Sequence, residues 1–403
     1  MKVLVFNPGS NSLKFGLIEV PPPDPALVRG RKLISGVIEP IDQTGKLSFD
    51  HPADRKSEKI SVRDQGEAAR CIIEHLRKQP EFGGVDMMAC RVVHGGGRYD
   101  APVIADERVI SGIEQFEDLA PLHNASSIEI MRASAAALSG VRMLAVFDTD
   151  FHKNIPEIAW RYGLGYDLAN ECGIRRYGFH GISHKYMTLR YAELTRTPLD
   201  QTNIVTMHLE GGSSACAVRG GRSVDTSMGF TPLEGLMMGT RSGDIDASVV
   251  GFLMHKKNVA AEQVERWLTK ESGLKGISGI SQDTRVLVRH LDDPRAKLAL
   301  DMFSYRVKKY IGSYLAALGD SHGGAAALVF GGGIGENTPV VRRAICEGLD
   351  PLGLEFDADR NASVIDREGV ISRDSSRIQA WVIPTEENLL IAHEAGLFLT
   401  NAH

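Results

Sequence analysis

Cysteine pairs, long apolar runs and an excess of basic residues are all missing from this chain of 403 residues. Its five cysteines, Cys71, Cys90, Cys172, Cys216 and Cys346, are odd in number and far apart. With no Cys-x-x-Cys and no His-Glu-x-x-His, a disulfide framework and a protein-bound catalytic zinc both lose their ligand pattern. No window holds the roughly 18 uncharged apolar residues that a membrane span requires. The first apolar run, Val3–Phe6, is shorter than the roughly 7–15 residues of a signal-peptide core. The chain therefore reads as a reduced, cytoplasmic protein with no membrane partner. Lys and Arg number 46 against 51 Asp and Glu, a formal net charge of −5. A nucleic-acid partner, which asks for a broad basic face, is not expected. The run from Gly9 to Lys14 lacks the second glycine of a P-loop, no Gly-x-Gly-x-x-Gly opens a helix, and no His-Arg-Asp and Asp-Phe-Gly pair occurs. P-loop, dinucleotide-fold and protein-kinase readings thus lack their signatures.

What is present is ordinary globular material, 43% hydrophobic and 24% charged, with length for two or three domains. Glycine is the exception at 42 residues, above its usual share of ~7%. Val3–Phe6, the turn cluster Asn7–Ser12 and the run Leu13–Val20 read as strand, tight loop, antiparallel strand. About two hundred residues later the pattern recurs: strand Ile204–Leu209, loop Glu210–Ser214, strand Ala215–Val218 and hairpin turn Arg219–Arg222. A two-fold internal duplication follows, each half opening on a strand–loop–strand. Apolar stripes mark helices at Ala69, Ile72, Ile73 and Leu76; at Ile128, Met131, Ala135 and Leu138; and at Phe303, Val307, Ile311, Tyr314 and Leu318. A last helix covers Glu386–Leu399. Strand Val141–Phe147 runs into Asp148, and strand Ala325–Phe330 into Gly331–Gly335. Alternating strands and helices indicate an α/β protein whose ligands sit beyond strand ends.

Three Gly/Ser loops directly follow strands: Gly9–Ser12, Gly211–Ser214 and Gly331–Gly335. Glycine lets backbone N–H groups close on an anion, and three such loops point to a nucleotide site. Arg91, Arg241 and Arg285 lie in apolar or glycine-rich contexts, where surface decoration is not expected. Their guanidinium forks match carboxylate or phosphate, or else form buried Arg–Asp pairs. His180 and His123 occupy apolar, loop-like contexts that suit either a structural or a catalytic histidine. Asp148, at a strand's carboxyl end, is placed to face a ligand.

Six segments together identify a family. They are Asn7-Pro8-Gly9-Ser10-Asn11-Ser12-Leu13-Lys14, Arg91–Gly96, Phe147-Asp148-Thr149 with Phe151-His152, Arg176–Gly181, Asp225–Asp246 and Gly333–Asn337. In order along the chain they resemble the acetate kinases, and the stretch Thr231–Asp246 is highly specific. The resemblance implies an α/β fold of two duplicated actin-like (ribonuclease H-like) domains with an interdomain nucleotide cleft. One domain would comprise residues 1–149 plus 385–403, the other 150–384. The implied reaction is ATP + acetate ⇌ ADP + acetyl phosphate with Mg²⁺, which Mn²⁺ can replace, in a homodimer.

The same resemblance assigns roles. Arg91 and Arg241 would hold the carboxylate and the phosphoryl group, His180 would donate to the phosphoryl oxygens in flight, and Asp148 would orient the site. Asn7 and Glu387 would help place the metal, with Glu386 the adjacent alternative. Val93, Leu122, Phe179 and Pro232 would wall the acetate methyl, with Val93 favouring acetate over propionate. Lys14, Ser12, His208, Gly211, Gly212, Ser213, Asp283, Thr284, Arg285, Gly331, Gly332, Gly333, Ile334, Gly335 and Asn337 would line the ATP side. The chain departs from the family at the second loop, usually His-Leu-Gly-Asn-Gly-Ser and here His208-Leu209-Glu210-Gly211-Gly212-Ser213. Asn11 replaces a usual serine, and Gly97 extends the usual double glycine. A Glu aimed at phosphates would repel them unless paired.

Overall fold

The computed structural model describes residues 1–9, 11–41, 44–51, 54–115, 121–319 and 324–401, and Ser10 of the first loop lies outside them. The chain divides into two compact units, Met1–Phe151 with Glu386–His403, and His152–Thr385. Among the described residues fourteen strands form two sheets. In the first unit they are β1 (Lys2–Pro8), β2 (Leu13–Glu19), β3 (Arg31–Glu39), β4 (Thr44–His51), β5 (Asp54–Ser61), β6 (Met87–Val92), β7 (Val103–Ile104) and β8 (Met143–Phe147). In the second they are β9 (Ile204–Leu209), β10 (Ser213–Arg219), β11 (Arg222–Thr226), β12 (Ala327–Gly331), β13 (Gly369–Val370) and β14 (Gln379–Val382).

The two sheets repeat one topology. The first runs β5-β4-β3-β2-β1-β6-β8-β7, the second β11-β10-β9-β12-β14-β13. In each, a three-stranded antiparallel meander (β1–β3, β9–β11) is followed by two strands parallel to its first (β6 and β8, β12 and β14). Each sheet then ends in a short antiparallel edge strand. This is the ribonuclease H-like order, and the duplication read from the strand–loop–strand repeat is present. Strands β4 and β5 extend the first sheet alone.

The inner strands are buried on both faces because helices cover both. Leu4 and Phe6 of β1 join a core with Ile72, Ile73 and Leu76 of the helix Gln65–Leu76. Asp64 caps that helix by accepting from the Glu67 N–H. Val3 and Val5 point to the opposite face. The C-terminal helix Glu387–Asn401 packs on β1, β6 and β8. In the second unit Phe303, Val307, Ile311, Tyr314 and Leu318 all enter the core from the helix Pro294–Leu318, as their spacing predicts.

Two expectations need correction. Ala135 is exposed, and the helix Pro121–Ala137 instead buries Asn124, Ser127, Ile130 and Ser134 beside Ile128 and Met131. Asn124 and Ser127 on that face bond the backbone of His94 and Arg91, which an apolar stripe cannot reveal. The loop expected at Gly331–Gly335 is the end of β12 followed by the helix Gly332–Asn337. Glycine disfavours a helix, but tertiary contacts override it here. Gly332 has φ +73 and lies so close to Leu209 that a Cβ would stand 2.7 Å from its carbonyl oxygen. At the other end Arg342, with no exposed surface, gathers the last carbonyls. Its guanidinium donates to Gly335 O at 2.8 Å, Glu336 O at 2.9 Å, Asn361 Oδ1 at 2.8 Å, Asn361 O at 2.9 Å and Val364 O at 2.6 Å. Replacing it strands several buried acceptors. Arg342→Met is therefore expected to lower unfolding free energy by at least ~3 kcal/mol in urea titrations. A loss below ~1 kcal/mol would contradict this account of the segment.

Candidate active site

The carboxyl ends of β1, β6 and β8 bring Asn7, Arg91 and Asp148 to one edge of the first sheet. Arg91 Nη2 donates to Asp148 Oδ2 at 2.5 Å, and Nη1 to Asn7 Oδ1 at 3.2 Å. Asn7 Nδ2 donates to Glu387 Oε2 at 2.8 Å and to Asn388 Oδ1 at 3.2 Å. Glu387 Oε2 stands 3.6 Å from Arg91 Nη1. The side chains are nearly dry, 15% exposed for Arg91, 1% for Asp148 and 13% for Glu387. In such surroundings a charge is weakly screened and its geometry is fixed by its partners. Glu386 points elsewhere and pairs with Lys32 at 2.5 Å, 36% exposed. The two carboxylates and the Asn7 amide are hard oxygen donors of the kind Mg²⁺ accepts. Among the described residues no group of three or more His, Cys, Asp or Glu forms a ready cage for a metal.

The second unit assembles its own set. His180 caps the helix Gly181–Thr195 in the left-handed region at φ 56. Such a conformation is strained for a side chain with a Cβ and persists where surroundings impose it. They do so here. His152, fully buried, bonds Ser223 Oγ at 2.8 Å and the Phe179 carbonyl at 3.0 Å, pinning the residue before His180. His180 Nδ1 lies 2.9 Å from Ser214 Oγ, and its ring centroid lies 4.4 Å from that of His208 with the planes tilted by 38°. Gly212 is packed against both catalytic candidates of this unit. A Cβ there would stand 3.4 Å from His180 Nε2 and 3.7 Å from Arg241 Nη1. Arg241 Nη1 donates to Pro232 O at 3.0 Å, and burial pulls its guanidinium below the ordinary value. Arg241 remains a cation at neutral pH.

Of the expected apolar wall, Val93 and Phe179 are buried and Pro232 is half-buried. Leu122 and His123 open the helix Pro121–Ala137, and their side chains lie outside the described residues. The loop after Val93 is held by a reciprocal pair, His94 N–H to Asn124 Oδ1 and Asn124 Nδ2 to His94 O, each 3.1 Å. The Gly96 N–H donates to His94 Nδ1 at 2.8 Å, so the ring proton sits on Nε2.

On the expected ATP side, Gly331 pairs with His208 across β12 and β9, which joins the second and third glycine segments. Gly211, Ser213 and Glu210 form a tight turn, with Glu210 N–H donating to Gly212 O at 3.1 Å. Glu210 is half exposed, and its Oε2 lies 3.5 Å from His208 Nε2. Ile334 and Gly335 are buried in the short helix, whereas Gly333 and Asn337 are exposed. Ser12 O accepts from Gly9 N–H at 2.8 Å and holds the first turn closed. Lys14 is exposed opposite Asn7 in the β1–β2 register. Arg285 is not embedded as its context predicts. It is 77% exposed and clasped by Asp283 at 2.7 Å, beside the buried Thr284. The short helix Thr284–Val288 turns it to solvent, and Asp283 spends its carboxylate as the cap.

One brace was not read from the sequence. Arg176 donates to Glu234 at 2.6 Å and to the carbonyls of Thr226, Ser227 and Met228 at 3.0–3.2 Å. The Tyr162 hydroxyl also bonds Glu234 and accepts from Phe230 N–H at 2.8 Å. The glycine-rich stretch that carries Arg241 is thus tied to a half-buried charge pair. A glutamate between Pro232 and Gly235 was the available signal.

Two ribonuclease H-like sheets, each carrying charged or glycine-rich residues at the carboxyl ends of its parallel strands, define an α/β protein of the actin-like class. The acetokinase family model matches residues 2–393. An acetate kinase of Solibacter usitatus is 43% identical over 406 residues, spanning 98% of this chain and 97% of that protein. The crystal structure of Porphyromonas gingivalis acetate kinase superposes with a TM-score of 0.88 at 37% identity, covering 99% of each chain. A propionate kinase of Francisella tularensis subsp. tularensis also gives 0.88, at 34% identity over 98% of each chain. This chain belongs to the acetokinase family, phosphotransferases whose acceptor is a carboxyl group.

The buried histidines set a pH dependence. Burial pushes His94 and His152 down to about 4. Both are neutral in the folded chain, whereas the unfolded chain protonates them below the ordinary value near ~6.5. Stability they supply above pH ~6.5 is therefore lost as pH falls toward ~4, at up to ~2.7 kcal/mol per pH unit for two protons. Asp225 and Glu336, raised by burial, offset part of it. The urea midpoint is expected to fall between pH 7 and 5, and a flat midpoint would contradict the assignment.

Proposed function

We propose that this chain is an ATP-dependent acetate kinase that passes the γ-phosphoryl group of ATP directly to acetate, giving acetyl phosphate and ADP. The observation that carries the reading is the dry Arg91–Asp148–Asn7–Glu387 cluster. Acetate is already an anion at neutral pH, so its oxygen needs no general base. The chemical difficulty is bringing a carboxylate against a polyphosphate and stabilising charge on the group in transit. Preorganised guanidinium groups meet that need. Arg91, oriented by Asp148 and Asn7, binds the carboxylate, and Arg241, oriented by the Pro232 carbonyl, binds the phosphoryl group. His180 donates from Nε2 to a phosphoryl oxygen. Val93, Phe179 and Pro232 confine the methyl. The glycine segments at Gly211–Ser213 and Gly331–Gly335 offer N–H groups to phosphates, and the Glu210 carboxylate lies beside His208, 3.5 Å from its Nε2. Lys14, Ser12, Asp283 and Thr284 complete the nucleotide side.

Asn7, Glu387 and Asp148 would hold a Mg²⁺ ion through its waters, with Glu387 preferred because Glu386 is engaged by Lys32. The ion, when bound with the nucleotide, neutralises phosphate charge. A homodimer is the assembly we infer. Leu298, Met302 and Tyr305 stand exposed at i, i+4, i+7 on the helix Pro294–Leu318, and Val249 and Phe252 are exposed on the helix Ser248–Lys257. Such apolar rows are normally covered.

A second reading, a propionate kinase, is favoured by the Francisella tularensis neighbour. Val93, where propionate kinases tend to carry a smaller residue, argues against it. A hydroxamate assay on the purified protein separates them, using acetate, propionate or butyrate with ATP or pyrophosphate. Acetate with ATP is expected to be fastest, propionate ~10–200-fold poorer in kcat/KM for its extra methylene, and pyrophosphate inactive. Arg91→Ala and Arg241→Ala are each expected to cut kcat at least ~100-fold. Faster turnover with propionate or pyrophosphate, or retained kcat in either variant, would overturn the reading.

A further inference from the structure

His180 is the end of a buried hydrogen-bonded chain that no motif suggests. Ser214 Oγ lies 2.9 Å from His180 Nδ1 and 2.8 Å from His184 Nε2. His184 Nδ1 lies 2.7 Å from Thr206 Oγ1. His184, Ser214 and Thr206 have no exposed surface. Their placement follows from the fold. His180 and His184 stand one helical turn apart, joined by the His184 N–H to His180 O bond of 3.0 Å. Thr206 and Ser214 come from the adjacent strands β9 and β10.

The proton count along this chain is restrictive. A hydroxyl has one hydrogen, so between two imidazole nitrogens Ser214 donates to one and accepts from the other. The protonation of His180 Nδ1 is thereby tied to that of His184 Nε2, and one carries a proton only where the other does not. Thr206 sets the direction. Its hydroxyl reaches His184 Nδ1 and the sulfur of its cross-strand neighbour Cys216, and of these two sulfur is the weaker acceptor. Thr206 therefore donates to His184 Nδ1. His184 keeps its own proton on Nε2 and donates it to Ser214. Ser214 donates to His180 Nδ1. The His180 proton is left on Nε2, the edge that faces Gly212 and Arg241.

We propose that Thr206, His184 and Ser214 are positioning residues that hold His180 as its Nε2–H tautomer, the form able to donate to a phosphoryl oxygen. The catalytic half of this statement rests on the reading of His180 given above, and the tautomer half does not. Left alone, an imidazole samples both tautomers, and the wrong one would present a lone pair to an anionic oxygen. The relay removes that option before any substrate arrives.

The test uses the full-length protein carrying ¹⁵N-labelled histidine. Long-range ¹H–¹⁵N correlation spectra at neutral pH, with His180→Ala and His184→Ala for assignment, are expected to find both rings protonated on Nε2. Ser214→Ala removes the link without adding bulk. It is expected to give His180 mixed tautomers and to lower kcat ~10–100-fold while KM for ATP and acetate stays within about twofold. Ser214→Thr keeps the hydroxyl and should restore the tautomer and most of the kcat. Thr206→Val, nearly isosteric, should release His184 first. Nδ1 protonation of His180 in the unmodified protein, or an unchanged kcat in Ser214→Ala, would overturn the proposal. If His184→Ala fails to fold, the Ser214 and Thr206 variants carry the test. Nε2 protonation combined with full activity in His180→Ala would uphold the tautomer assignment and remove the catalytic reading of His180.

Discussion

The buried guanidinium of Arg91 is the interaction on which the first unit's site turns. It is gripped by Asp148 at 2.5 Å and by Asn7 at 3.2 Å, and each of these sits at the end of a different parallel strand. A cation this dry must be paired, because an unpaired buried charge is prohibitively costly. Pairing it with one carboxylate leaves a fork whose remaining N–H groups have a fixed direction. Glu387 reaches the same cluster from the C-terminal helix, which is why the end of the chain belongs with its beginning. Folding and chemistry share these contacts. The strands cannot bring their ends together without supplying an arginine with partners, and the arginine cannot be aimed without them.

The second unit solves the same problem with less charge. Its parallel strands β9 and β12 end in histidine-bearing and glycine-rich segments rather than in an ion pair. The backbone does the positioning there. Arg342 collects the carbonyls behind Gly332–Asn337, and Arg176 collects those of Thr226, Ser227 and Met228. Both arginines spend their charge on backbone carbonyls, Arg342 fully buried behind the glycine helix and Arg176 half-buried just before the stretch that carries Arg241. His180, held in a left-handed conformation, is fixed by Phe179 on one side and Ser214 on the other. A duplicated sheet therefore presents two kinds of edge, one built from paired charges and one from oriented backbone.

Much of this was legible in residue order. Strand–loop–strand repeats two hundred residues apart led to the duplicated sheet, and the stripe Phe303–Leu318 led to its main helix. Arg91 and Asp148 stood out from their sequence contexts, Asn7 and Glu387 only through the family resemblance, and the four side chains lie in one hydrogen-bonded cluster. The misses have identifiable causes. The helix Gly332–Asn337 forms where Gly332 packs closely on Leu209, far away in sequence, and where Arg342, six or seven residues on, gathers the last carbonyls. The exposed position of Arg285 follows from a helix start that turns it outward, which a glycine-rich neighbourhood does not reveal. Ser214, His184 and Thr206 are unremarkable residues in sequence. Their connection arises only when β9, β10 and the helix Gly181–Thr195 are packed together.

The central claim is that an arginine-organised site moves the phosphoryl group straight from one anion to another, with no side chain taking it in between. The most direct measurement is the stereochemistry of transfer from ATP made chiral at the γ-phosphorus with three oxygen isotopes. A single in-line displacement gives acetyl phosphate with inverted configuration at phosphorus. Retention would require two displacements and a phosphorylated enzyme, and would contradict the account.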